Sequence, residues 1–176
     1  EQATPETAAA LIDALHDPEA KVRANAACAL SRLPELPAEA VAPLAECVAD
    51  ADDGVRLNAA LALRAAPAVK AAPVFRQWLT DASARVRLIA AGYLLEADPA
   101  DADAAAGLVT LLDDPSPRLR RTVVELVDSL GPRAAPFLEA LKQRASAEVD
   151  PELSGQLDEV IERLEAVKPA PTDIEG

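Results

Sequence analysis

The chain has 176 residues, of which 51% are hydrophobic and only 2% aromatic, and it carries a formal charge of −13. That length suits one domain with a substantial core, and the apolar share excludes a disordered acidic chain. The excess of 30 acids over 17 bases argues against a phosphate-binding surface, which needs clustered Lys and Arg, and no apolar run approaches the roughly 20 residues of a membrane span.

Ala, Leu and Val dominate, Gly is scarce at 6 residues and Pro is common at 15. This predicts short, closely packed helices punctuated by proline. In chain order, a first short helix is marked by Leu11 and Leu15 and ends at His16. The turn Asp17-Pro18-Glu19-Ala20-Lys21-Val22-Arg23 opens a second helix with apolar residues at Val22, Ala26, Leu30 and Leu33. The pattern then returns. Leu44 and Val48 precede Asp50, Val55 and Arg56, followed by Ala59, Leu63 and Ala66. Phe75 and Leu79 precede Asp81, Val86 and Arg87, followed by Ala90, Leu94 and Ala97. Leu108 and Leu112 precede Asp114, Leu119 and Arg120, followed by Val123, Val127 and Leu130. A degenerate fifth copy has Leu138, Leu141 and Ala145, then Glu148 in the Asp place, Ser154 in the Arg place, and Leu153, Leu157, Ile161 and Leu164 on one face.

The anchors at 22, 55, 86 and 119 are 33, 31 and 33 residues apart. Apolar residues at +4, +8 and +11 from each anchor mark one face of an α-helix. Pro34, Pro67, Pro99 and Pro132 follow these helices as stop signals, and Pro43, Pro73 and Pro136 are read as lying at or near helix starts. The prediction is an all-α solenoid over 1–167, with hairpins near 5–33, 37–66, 71–97, 101–130 and 134–166. A Pro-rich extended tail follows over 168–176. One hairpin cannot bury its own apolar faces, whereas stacked hairpins share a core. Glu159, Glu162 and Glu165 make the fifth copy a polar cap.

The Asp-Pro-x-x-x-Val-Arg-x-x-Ala-Ala-x-Ala-Leu pattern, seen almost position for position from Asp17 to Leu30, resembles bacterial HEAT-like repeats, the type also seen in phycobilisome lyases. The resemblance covers about residues 5 to 166. It implies an α-α superhelix whose second helices line a concave, protein-binding face. It also implies that Asp17, Arg23, Asp50, Arg56, Asp81, Arg87, Asp114 and Arg120 form an internal ladder of ion pairs and caps. Arg144, outside that column, reads as exposed.

Catalysis has little to work with. His16 is the single histidine and reads as a solvated turn residue. Cys28 points away from the apolar stripe and Cys47 toward the core, so no disulfide is expected between them. No catalytic, cofactor or metal-binding residues are expected. On a 100°-per-residue wheel, positions +2, +6 and +9 of each second helix point away from the core. Copies one, four and five carry mostly small or polar residues there, among them Arg121, Glu125 and Asp128. Copies two and three carry Leu57, Leu61 and Arg64, then Leu88 and Leu95. Leu57, Leu61, Leu88 and Leu95 are therefore expected to form an exposed strip that docks a partner, with Arg64, Arg121 and Glu125 beside it. Tighter packing between repeats is the competing explanation for the same leucines. The function this suggests is a non-catalytic scaffold for a partner protein. The alternatives are an accessory repeat domain of a larger bacterial enzyme, such as a sulfatase, or a subunit resembling a bilin lyase. No nucleic acid, membrane insertion or cofactor is expected. A cytoplasmic setting is the first expectation and a processed exported chain the second.

Overall fold

The computed structural model describes residues 5–166; the predicted tail, 168–176, lies outside them. Among the described residues there is no strand. The helices are α1 (Pro5–Ala14), α2 (Ala20–Leu30), α3 (Val41–Glu46), α4 (Asp53–Leu63), α5 (Ala68–Trp78), α6 (Ala84–Ala97), α7 (Ala102–Leu111), α8 (Pro117–Ser129), α9 (Leu138–Ala147) and α10 (Pro151–Ala166). Short 3-10 segments flank α3, at Ala38–Ala40 and Cys47–Ala49, and Gly131–Phe137 leads into α9. The odd-numbered and even-numbered helices are the first and second helices of the predicted hairpins. The described residues form two compact units, one up to Gly107 and one from Leu108 on.

In the first unit α1 packs on α2, α3 on α4 and α5 on α6, while α2, α4 and α6 pack in sequence along one layer. The anchor positions explain this. Val55, Ala59 and Leu63 on α4 are each 0% exposed, as are Val86 and Ala90 on α6. Residues four apart lie one above another on a helix, so one apolar stripe per helix closes the core. Three of the chain's four aromatic residues meet in the third hairpin. Phe75 stacks on Tyr93 with ring centroids 3.9 Å apart and meets Trp78 edge-on at 5.5 Å.

In the second unit α10 packs on both α8 and α9. Leu153 and Leu157 are 0% exposed, and Val160 is 2% exposed. Helix α8 begins at Pro117, where the missing N–H costs nothing. Gly131 lies just beyond the α8 C-cap residue Leu130 with φ 57, the left-handed conformation that glycine adopts without penalty.

Two sequence expectations need correction here. Pro73 does not start its helix: α5 begins at Ala68, after Pro67, and runs on through Pro73. Pro67 supplies the N-cap, so the start lies earlier than the 71 read from the sequence. Arg144 is not exposed: its side chain is 14% accessible, and its Nε lies 3.2 Å from a Glu148 carboxylate oxygen.

Candidate functional site

The recurring Asp and Arg are built into the turns between first and second helices. Arg23 Nη1 donates to the carbonyls of Asp17 (2.8 Å) and Pro18 (3.1 Å), closing its own turn. Its Nε and Nη2 donate to the Asp50 carboxylate at 2.7 and 2.8 Å, one repeat further on. Arg56 repeats this, with Nη1 on the Asp50 carbonyl and the other two nitrogens on Asp81 at 2.7 and 3.0 Å. In the second unit Arg120 bonds the Asp114 carbonyl at 2.9 Å and the Glu148 carboxylate at 2.8 and 2.7 Å. Arg87 makes the carbonyl half, to Asp81 (2.6 Å) and Ala82 (3.1 Å). The planar guanidinium fork is what permits two carbonyls and one carboxylate to be held at once.

The acids do a second job. Asp17, Asp50, Asp81 and Asp114 each accept the backbone N–H two residues on, at 2.7–2.9 Å. They shape the turn rather than cap the helix. Capping falls to the residue two further along, where Asp52 accepts from Gly54 and Val55, and Ser116 from Leu119. In the last copy Glu148 replaces Asp and accepts from Val149 and Asp150.

These contacts set the charge states. Hydrogen bonds from Arg23 hold Asp50 below its ordinary range. Burial pushes Asp81 upward, but Arg56 and the Ser83 N–H outweigh it and the net shift is down. Arg120 draws Glu148 from 4.5 down to about 2 against the effect of burial. A carboxylate whose folded value is depressed stabilises the fold fully above its unfolded value, and loses that contribution as pH falls through the folded one. Between pH 5 and pH 2.5 the melting temperature of the native chain is therefore expected to fall more steeply than that of a Glu148→Gln variant. Parallel slopes would show that Glu148 is not linked to folding.

The predicted partner-binding residues separate into two groups. Leu57 is half-buried on α4, Leu61 is 41% exposed, and Arg64 is exposed, with its Nη2 2.8 Å from Glu96. On α8, Glu125 is exposed, and half-buried Arg121 reaches Glu152 at 2.9 Å and Asp150 at 3.7 Å. Leu88 and Leu95 are not exposed: they are 9% and 0% accessible. The four-leucine strip is thus corrected to Leu57 and Leu61. The cause is that α6 is buried on every side over Ala90–Leu95, so the wheel direction that faces solvent on α4 faces core on α6.

Sequence reasoning missed two polar contacts in the first unit. Arg76 on α5 reaches Asp101 at 2.6 Å, and Asp101 also accepts the Ala104 N–H at the start of α7. Asn58 Nδ2 donates to the Ala24 carbonyl at 3.0 Å, tying α4 to α2. Arg76 does not recur in register, and Asn58 recurs only as Asn25, so the repeat gave little signal for them. His16 lies 3.5 Å from Glu46, and both side chains are exposed. Cys28 and Cys47 are free thiols, and burial pushes Cys47 up to about 11. A groove of about 870 Å³ in the first unit is lined by Ile12, Leu33, Leu36 and Val41, with Glu39 and Lys70. Among the described residues no cluster of His, Cys, Asp or Glu has the makings of a metal site, and no helix is long and apolar enough to cross a membrane.

A turn arginine bonded to its own carbonyls and to the acid of the next hairpin, repeated in register, places the chain among helical repeat proteins. Residues 1–64 match the family model described as HEAT repeats. The matched segment takes in the first two hairpins and the Arg23–Asp50 rung. A designed armadillo repeat protein in complex with the peptide (KR)4 is similar in structure, with TM-score 0.60 and 20% identity over 90% of this chain and 82% of that one. A computationally designed armadillo repeat protein for modular peptide recognition gives 0.58 at 19% identity over the same shares. An engineered protein gives 0.54 at 17% identity, covering 90% of this chain and 98% of its own. These likenesses show the fold, a helical repeat solenoid. No curated protein sequence matches the chain.

Proposed function

We propose that the chain is a protein-interaction scaffold that binds a partner polypeptide through the outward face of its second helices. Leu61 carries this reading. It is a large aliphatic side chain left 41% exposed on α4, at a position where three other copies place Cys28, Glu125 and Glu159. The repeat fold therefore does not require it. Half-buried Leu57 lies one turn before it, and Arg64 follows at the end of the same helix. An apolar centre beside charged residues is the usual anatomy of a binding surface. Burying the 41% of Leu61 that is still exposed against a partner would contribute about 1 kcal/mol.

Charge shapes the partner. With a formal charge of −13, the chain favours a basic segment over an acidic one. A designed repeat protein of similar fold was solved in complex with the peptide (KR)4, which supports this reading. A photoreactive residue in place of exposed Ala65 is expected to cross-link one partner in cells of the native organism. The Leu57→Ser/Leu61→Ser variant should stay folded and lose at least about tenfold of that yield, a difference of about 1.4 kcal/mol. Undiminished cross-linking by the folded variant would move the binding surface off α4.

A further inference from the structure

No further inference is drawn: the strongest candidate, the apolar groove of the first unit lined by Ile12, Leu33, Leu36 and Val41, carries none because nothing in the structure shows what covers it.

Discussion

Replacing Arg120 by alanine is expected to destabilise the second unit by about 3 kcal/mol, the lower end of what breaking a buried ion pair costs. Arg120 and Glu148 side chains are 7% and 0% exposed, and Arg120 also holds the Asp114 carbonyl at 2.9 Å. Removing the guanidinium leaves a buried carboxylate with the N–H groups of Val149 and Asp150, and with Arg144 at 3.2 Å. Arg144 is why the lower end applies, because some positive charge stays close. Arg163→Ala is the proper comparison. Its pair with Asp128 spans 3.0 Å, but the side chains are 58% and 41% exposed, so the loss should be about 0–1 kcal/mol. Urea unfolding of the two variants checks this, and equal midpoints would show that the rung is not structural. An Arg120→Met/Glu148→Leu double variant should recover most of the loss, because replacing both charges removes the desolvation cost along with the attraction.

The hairpins were legible because one signal was written five times. A stripe at 0, +4, +8 and +11 survives any single departure, so the second helices α2, α4, α6, α8 and α10 fall where the anchors put them. The Asp and Arg column was legible as well, and its pairing in part: Arg56 is expected to reach Asp50, Asp81 or a neighbouring repeat's carboxylate, and Asp81 accepts it. A separation of six residues suggests a pair within one turn, whereas Arg23 and Arg56 spend one nitrogen on that turn and turn the other two to the next repeat. Which edge of a guanidinium meets which oxygen depends on how hairpins stack, and spacing along one chain does not encode that. Glu148 shows the same limit from the other side. It stands in the Asp place of a degenerate copy, and its longer side chain reaches Arg120 at 2.7 Å.

The candidate surface was half legible for a related reason. A helical wheel tells which residues share a face but not how many neighbours that helix has. On α4 the face opposite the core stripe holds exposed Leu61, while on α6 the same face holds Leu95 at 0%. Pro73 belongs to the same class of error. Proline marks a helix start when nothing else decides, but Ala68 to Ala72 already form the first turns of α5.

Leu95→Ser should therefore behave as a core substitution and Leu61→Ser as a surface one, although the two leucines were read from the sequence as one strip. Serine at Leu95 removes aliphatic volume from a site with no exposure, and large-to-small changes in cores cost about 2–5 kcal/mol. It also brings in a hydroxyl, which adds about 1–3 kcal/mol if it finds no hydrogen-bond partner. A total near 4 kcal/mol is a large part of the roughly 5–15 kcal/mol that holds an ordinary domain together, so the Leu95→Ser chain should melt many degrees lower and lose partner binding through unfolding. Leu61→Ser leaves a side chain that was already 41% exposed, and a surface change away from special features stays within about 0.5 kcal/mol. Its melting curve should overlay that of the native chain. Thermal unfolding followed by circular dichroism separates the two cases. If Leu95→Ser melts with the native chain, α6 is open on that face and the four leucines regain their place as one surface. If Leu61→Ser melts as low as Leu95→Ser, Leu61 is core, and the scaffold reading loses the residue that carries it.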